Sequence, residues 1–220
     1  MSYANGPKIV TDGLVLCLDA ANSKSYPGTG TAWNDLSGNG NNGTLQNTPT
    51  FNSANGGSLI FDAANDVVSL PNDIGYVSQV SAFGWFKTIG TAFNNYHIIF
   101  GSSELEVSFY QSGYIRVGVV TSNGRYVSNH GSGLTDGNWH YGGFTFDGTT
   151  KKAYIDGAYV GSQVLSGTLV YSFSGRWMGS YSGGYGLNGH IGKAEIYNKT
   201  LSPNEVQQNY NALKGRYGLT

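Results

Sequence analysis

The run Glu104-Leu105-Glu106-Val107-Ser108-Phe109-Tyr110, followed by Tyr114-Ile115-Arg116-Val117-Gly118-Val119-Val120, decides how this chain is read. In the first run Leu105, Val107 and Phe109 share one side, and Glu104, Glu106 and Ser108 share the other. Ile115, Val117 and Val119 repeat the pattern. A period of two places the two sets on opposite faces of a β-strand. The pair of runs, split by Ser112-Gly113, reads as antiparallel strands with one face on a core and one face wet.

The same rhythm extends in both directions. LVLCLD (14–19), SLIFD (58–62), AFGWFK (82–87), HIIFG (97–101), WHYGGFTFD (139–147), KAYIDG (152–157), RWMGS (176–180) and HIGKAEIY (190–197) are short apolar or alternating runs. Asn123-Gly124, Asp136-Gly137, Asp147-Gly148 and Asp156-Gly157 punctuate them, and such pairs accept the positive φ of tight hairpins. About a dozen strands at this spacing predict an all-β antiparallel sandwich. One helix is expected near the end, in LSPNEVQQNYNALKG (201–215). Ser202 is its N-cap, Pro203 its first residue, and Glu205 completes a capping box. Leu201 and Val206 form a staple, Val206, Tyr210 and Leu213 a narrow stripe, and Gly215 the stop. The narrow stripe places the helix on the edge of the sandwich. No stretch reads as a linker, so residues 14–220 are expected to form one domain, with 1–13 as an arm that docks on a partner.

Composition excludes several classes. Charged residues are 11% of 220, net charge is −1, and the chain carries 34 Gly and 16 Tyr. Lys and Arg are scattered singly, so no nucleic-acid patch is formed. The aromatic content excludes a disordered chain. No run approaches the ~18 apolar residues of a membrane span. The single cysteine, Cys17, is read as a small buried hydrophobe in a chain folded in a reducing cytosol. MSYANGPKIVTDG (1–13) has no basic or apolar region of a signal peptide, so none is expected.

Four stretches resemble the laminin-G-like, concanavalin A-like lectin/glucanase family, in the branch shared with pentraxins. They are WNDLSGNGNNGTL (33–45), SLIFDAANDVVSLP (58–71), GNWHYGGFTFDGTTKKAYIDGAYVG (137–161) and LNGHIGKAEIYNKTLSPNEV (187–206). They occur in family order from about Leu14 to Leu213, and they imply a jelly roll with one short C-terminal helix. GPKIVTDGLVLCLDAANSKSYPGTGTAWNDLSGNGNNGTL (6–45) and NYNALKGRYGLT (209–220) further resemble virion structural proteins of tailed marine phages. That resemblance implies a virion location, assembly in the host cytoplasm, and contacts with other virion proteins or further copies of the chain. The Gly/Asn-rich stretch at 31–45 is then an ordered connection anchored by Trp33, with positive-φ glycines and asparagines bonding backbone.

Relatives in this family include glucanases with a Glu-x-Asp-x-Glu strand. The nearest segment here is Glu104-Leu105-Glu106-Val107-Ser108, which lacks the third acid. A retaining mechanism needs two carboxyls ~5 Å apart across a glycosidic bond. Glu104 and Glu106 are therefore the hydrolase alternative to a non-enzymatic reading. His97, His130, His140 and His190 have no catalytic or metal-ligand spacing. The pentraxin Ca²⁺ positions are replaced by Ser102-Ser103, the acid-free GSYSGGYG and Gly192-Lys193. No cofactor is required; a Ca²⁺ site, if one is present, would use Asp19, Asp35 and carbonyls of the Gly/Asn loop. Sugars are held by aromatic faces with Asn, Tyr and Arg on their hydroxyls. RWMGSYSGGYGLNG (176–189) and KTIGTAFNNYH (87–97) offer Arg176, Tyr181, Tyr185, Asn188, Asn94, Asn95 and Tyr96 for this. The expectation is a lectin-type domain contacting host-surface glycans, with a ligand-free structural role as the further alternative.

Overall fold

The computed structural model describes residues 8–71, 73–75, 78–89, 96–102, 104–110, 112–170, 176–181 and 185–220, with Tyr96, Arg176, Tyr181 and Tyr185 described in backbone only. Its strands in chain order begin with β1 (Leu14–Asp19), β2 (Ala32–Trp33), β3 (Gly43–Gln46), β4 (Thr50–Asn52), β5 (Ser58–Asp62) and β6 (Val67–Leu70). Next come β7 (Val80–Thr88), β8 (Tyr96–Ser102), β9 (Leu105–Tyr110), β10 (Ile115–Thr121), β11 (Gly124–His130) and β12 (Trp139–Phe146). The last are β13 (Thr150–Ile155), β14 (Ala158–Val164), β15 (Arg176–Tyr181), β16 (Tyr185–Gly186) and β17 (Asn188–Tyr197), followed by helix α1 (Pro203–Leu213). No described helix is long and apolar enough to cross a membrane.

Two antiparallel sheets form the sandwich. One runs β14-β13-β12-β7-β17-β5-β4, with β1 also paired to β17; the other runs β11-β10-β9-β8-β15-β6-β3-β2, with β16 on β15. We call them the helix sheet and the front sheet. The alternation read at 104–120 sets the layer between them. Leu105, Val107 and Phe109 of β9 and Ile115, Val117 and Val119 of β10 meet Phe86, Phe144 and Ile191 of the helix sheet in one apolar core. The register puts Val107 opposite Val117, so both strands present the same phase inward.

A second core lies on the outer side of the helix sheet. Phe83, Trp85, Tyr141, Tyr154 and Tyr197 pack there beneath Val206 and Tyr217. Trp85 stacks on Tyr210 at 5.6 Å and on Tyr217 at 4.3 Å. Such ring pairs contribute about 0.5–1.5 kcal/mol each beyond area burial. This explains why β7 lacks alternation: the second sheet covers one face and the helix covers the other.

The N-terminus of α1 is as read from sequence. Ser202 caps Glu205 N–H, Glu205 returns to the Ser202 N–H, and Pro203 opens the helix. Leu201 and Val206 are both buried. Two features differ. The helix lies across a sheet face rather than on an edge, because outward aromatics from β7, β12 and β17 give its narrow stripe a floor. Its end is also later: the chain continues as a short 3₁₀ turn, Lys214–Tyr217, and the left-handed residue is Gly218 rather than Gly215.

Residues 8–13 are tied to this assembly. Val10 N–H donates to Asn209 Oδ1 at 2.8 Å, and Tyr197 hydroxyl donates to Val10 carbonyl at 3.1 Å. The Gly/Asn stretch is an ordered connection. Trp33 is fully buried, while Gly38 and Gly40 take φ of 91° and 74°. Asn41 Nδ2 donates to the Val15 carbonyl at 2.7 Å, and Asn39 Nδ2 donates to the Leu14 carbonyl at 3.2 Å, so the loop is fastened along β1. Cys17 is buried, and burial pushes its thiol up to about 12, which keeps it protonated and unreactive.

Candidate functional site

Of the sequence-predicted ligand residues, Asn94 and Asn95 lie outside the described residues. The backbone places Tyr96, Tyr181 and Tyr185 on one rim of the front sheet. β15 pairs antiparallel with β8, with Gly179 opposite Ile98. Beyond that pair β15 ends at Tyr181 and β8 begins at Tyr96, so the two strand ends lie at the same edge of the sheet. β16 then folds back on β15, with Tyr185 opposite Tyr181. Asn188 instead opens β17 of the helix sheet, and its N–H meets His97 Nδ1 at 3.4 Å. Arg176 is not part of this group. It pairs with Ser102 at the other end of β15, five residues or roughly 17 Å away at strand rise.

Two irregularities aim this rim. The β8–β9 register shifts between Ile98 and Phe100, and the β8–β15 register shifts between Trp177 and Gly179. Bulges of this kind bend a strand and redirect its end. Gly179 adopts φ +84°, and the Phe61 ring occupies the space a Cβ would need, 2.2 Å from its position. His97 is fully buried, stacked on Phe109 at 4.6 Å, and its Nε2 has no hydrogen-bond partner. Burial pulls its pKa down to about 4, so the ring is neutral and its Nδ1 can accept the Asn188 N–H.

The front sheet's outward row over β9 and β10 differs from expectation. Glu106 and Ser108 are buried rather than wet. Glu106 Oε1 accepts from Arg116 Nε at 2.8 Å and from Ser108 Oγ at 2.6 Å, and its other oxygen pairs with Arg125. Long arginine side chains fold over the strand and desolvate the carboxylate between them. Glu104, also buried, accepts from Ser102 Oγ at 3.1 Å. Trp177, opposite Ser69 and Gly101 in this face, is half-buried.

The carboxylates named for Ca²⁺ have protein partners. Asp19 receives Arg216 Nη1 at 2.9 Å on both oxygens and the Ala21 N–H at 3.0 Å. Asp35 organises its own loop: Oδ1 accepts from Cys17 and Ser37 N–H, and Oδ2 from Ser37 Oγ and Asn41 N–H. Among the described residues no group of three or more His, Cys, Asp or Glu is placed to hold a metal ion.

The sequence reading missed a cavity on the outer face of the helix sheet, beside the second core. It measures about 150 Å³ and is lined by Asn52, Ala54, Asn55, Ser58, Lys87, Trp139 and His190. Register builds it: Lys87 of β7 lies between Trp139 of β12 and His190 of β17. Trp139 Nε1 donates to Asn55 Oδ1 at 3.2 Å, and Ser58 Oγ lies 3.0 Å from His190 Nδ1.

Residues 62–207, well over half of the chain, match the family model described as the Concanavalin A-like lectin/glucanases superfamily. The chain belongs to this superfamily. No curated protein sequence matches it. Solved structures share the superfamily sandwich at low identity and establish the fold alone. The binding domain of Paraclostridial Mosquitocidal Protein 1 aligns over 95% of this chain and 56% of its own, with TM-score 0.77 and 14% identity. Domain 4 of AbnA, a GH43 extracellular arabinanase from Geobacillus stearothermophilus, solved with arabinotriose, aligns over 90% of this chain and 98% of its own, with TM-score 0.71 and 18% identity. The binding domain of botulinum neurotoxin DC, solved with rat synaptotagmin II, aligns over 93% and 52%, with TM-score 0.72 and 13% identity. The chain thus spans about half of the toxin binding domains it resembles.

Proposed function

We propose that this domain is a non-enzymatic glycan-binding module of a phage virion that contacts sugars on the host surface. The observation that carries the reading is the strand pairing that brings the ends of β8, β15 and β16, and with them Tyr96, Tyr181 and Tyr185, to one rim. Tyrosines supply a flat face for sugar C–H groups and a hydroxyl for sugar oxygens, with few rotors to freeze on binding. The similarity to domain 4 of the arabinanase supports it, because that domain is solved with a bound oligosaccharide and matches along nearly its whole length. The virion location rests on the resemblance of residues 6–45 and 209–220 to phage structural proteins. In that setting the domain sits against other virion proteins or further copies of itself.

The hydrolase alternative fits the structure less well. Cleavage needs two carboxyls facing a sugar across an open cleft. Glu106 is held between two arginines, and Glu104 is buried against Ser102. The test is a glycan array with and without Ca²⁺, run beside Tyr181→Ala. Binding to a defined glycan set that the substitution abolishes supports the reading. Binding that survives Tyr181→Ala removes the rim as the site. No binding at all favours a purely structural role.

A further inference from the structure

We infer that the cavity lined by Lys87, Trp139 and His190 is a second ligand site, a subsite for an acidic sugar whose carboxylate meets the Lys87 ammonium. It lies on the helix sheet and the tyrosine rim on the front sheet, so the two stand or fall separately.

Lys193 pairs with Glu195, Arg216 with Asp19, and Arg116 with Glu106. Lys151 donates to the carbonyls of Val117 and Tyr126. The Lys87 side chain makes no hydrogen bond or ion pair among the described residues, although it is half-buried and borders the cavity. Its ammonium has three donors and no acceptor, so a carboxylate is the natural complement.

The walls suit a sugar better than a bare anion. Asn52 Oδ1 is taken by the Ala54 N–H, which leaves its Nδ2 as a donor beside the cavity. Asn55 is fixed from two sides, accepting from Trp139 Nε1 and donating to the Arg216 carbonyl at 3.3 Å. The Trp139 ring is itself held, packed against Tyr217 at 4.5 Å and His190 at 5.8 Å. Amides, a hydroxyl and an aromatic edge around one cation are the donor set that hydroxyls and a ring carboxylate require. Burial and the nearby Lys87 both lower the His190 pKa, which keeps that imidazole neutral at neutral pH. A volume of about 150 Å³ is on the order of ten times what one water requires, which is room for a ring-sized group. The lining is set by strand register and neighbour bonds, so little has to be ordered on binding.

The experiment titrates the whole chain with D-glucuronate, D-glucose and acetate by calorimetry and ligand-observed NMR, at about 25 mM salt to limit screening. D-Glucuronate should bind at least about tenfold more tightly than D-glucose or acetate, the advantage of one charge-assisted hydrogen bond combined with sugar contacts. Lys87→Gln should erase the preference over glucose, while Tyr181→Ala leaves it intact. The melting temperature of Lys87→Gln should stay within about 2 °C of the parent, since a half-buried, unpaired side chain contributes little to stability. If that variant fails to fold, the three-ligand comparison on the parent chain decides alone. Equal affinity for glucuronate and glucose, equal affinity for glucuronate and acetate, no binding of glucuronate, or a preference untouched by Lys87→Gln would each overturn the assignment.

Discussion

Asp19 and Arg216 join the first strand to the last ordered turn of the chain, and removing the cation measures how firmly. In Arg216→Met the aliphatic stem stays roughly in place and the guanidinium is lost. Asp19 would then keep the Ala21 N–H but lose its ion-pair partner. Breaking a fully buried pair costs about 3–5 kcal/mol. Here the Asp19 side chain is 8% exposed and that of Arg216 is 29% exposed, so the arginine retains part of its hydration. The expected loss is therefore about 2 kcal/mol, less than for full burial and more than for a surface pair. For a chain of this length that corresponds to a fall of about 4–8 °C in Tm. Urea unfolding at pH 7 would measure it, with Asp19→Asn and the double variant closing a cycle. The double variant should lose clearly less than the sum, because the pair is one interaction. Additive losses, or a single-variant loss below about 0.5 kcal/mol, would refute the pairing as a tie. Adding Ca²⁺ to the unsubstituted chain sharpens the point. If the Asp19 and Asp35 carboxylates are committed to Arg216 and the loop N–H groups, Ca²⁺ should leave Tm unchanged; a clear rise would show that a cation competes successfully for them.

Gly179→Ala should destabilise by at least about 2–3 kcal/mol, since a Cβ would collide with the Phe61 ring and φ +84° disfavours any side chain; denaturant midpoints read this out, and a near-neutral result would show that the bulge relaxes freely. His97 makes the fold acid-labile: its pKa is depressed from 6.5 to about 4 by burial, so the unfolded chain binds a proton that the fold refuses, and stability declines as pH drops from about 6.5 towards 4. The contribution is on the order of 3 kcal/mol, His97→Gln should flatten this part of the pH profile, and an unchanged slope would exclude His97 as its source.

The sandwich was legible because its signal is local. Leu105, Val107 and Phe109 against Glu106 and Ser108 report a two-residue period within one strand, and Ser202 to Glu205 report a helix start within one turn. What covers the helix sheet was not legible. In AFGWFK and HIGKAEIY both phases carry apolar or bulky residues, so the text cannot say whether the second face meets another sheet, a helix or solvent. The helix position depends on contacts such as Val10 to Asn209, which are 199 residues apart. The cavity was missed for the same reason. Asn52, Lys87, Trp139 and His190 become neighbours only through the pairing of five strands. One trace of it was present: Phe83, Trp85 and Lys87 share the outward phase of β7, and the change from aromatic to cation marks where the helix cover stops. The wet face expected for β9 failed because Arg116 and Arg125 are long enough to lie over Glu106, a conformation that alternation cannot encode.

The two outer faces are closed by different means, and this decides where recognition can occur. Over the helix sheet, aromatics from β7 and β12 are sealed by α1 and Tyr217, so their sugar-stacking surfaces are spent on folding. Over β9 to β11, Glu106 draws two arginines and a serine into one network, which consumes the charged donors and acceptors a cleft would use. Each closure has a margin. One margin is the rim where β8, β15 and β16 end; the other is the cavity where the helix cover gives way to Lys87 and His190. The rim stands on bulged strand ends braced by Gly179 and His97, and the cavity stands on register alone. A ligand at the cavity therefore meets groups already in place, whereas one at the rim depends on how Gly179 and His97 hold the strand ends. Substitutions that loosen those braces, Gly179→Ala above all, should weaken rim binding before they touch the cavity, and that order separates the two sites even when both take sugars.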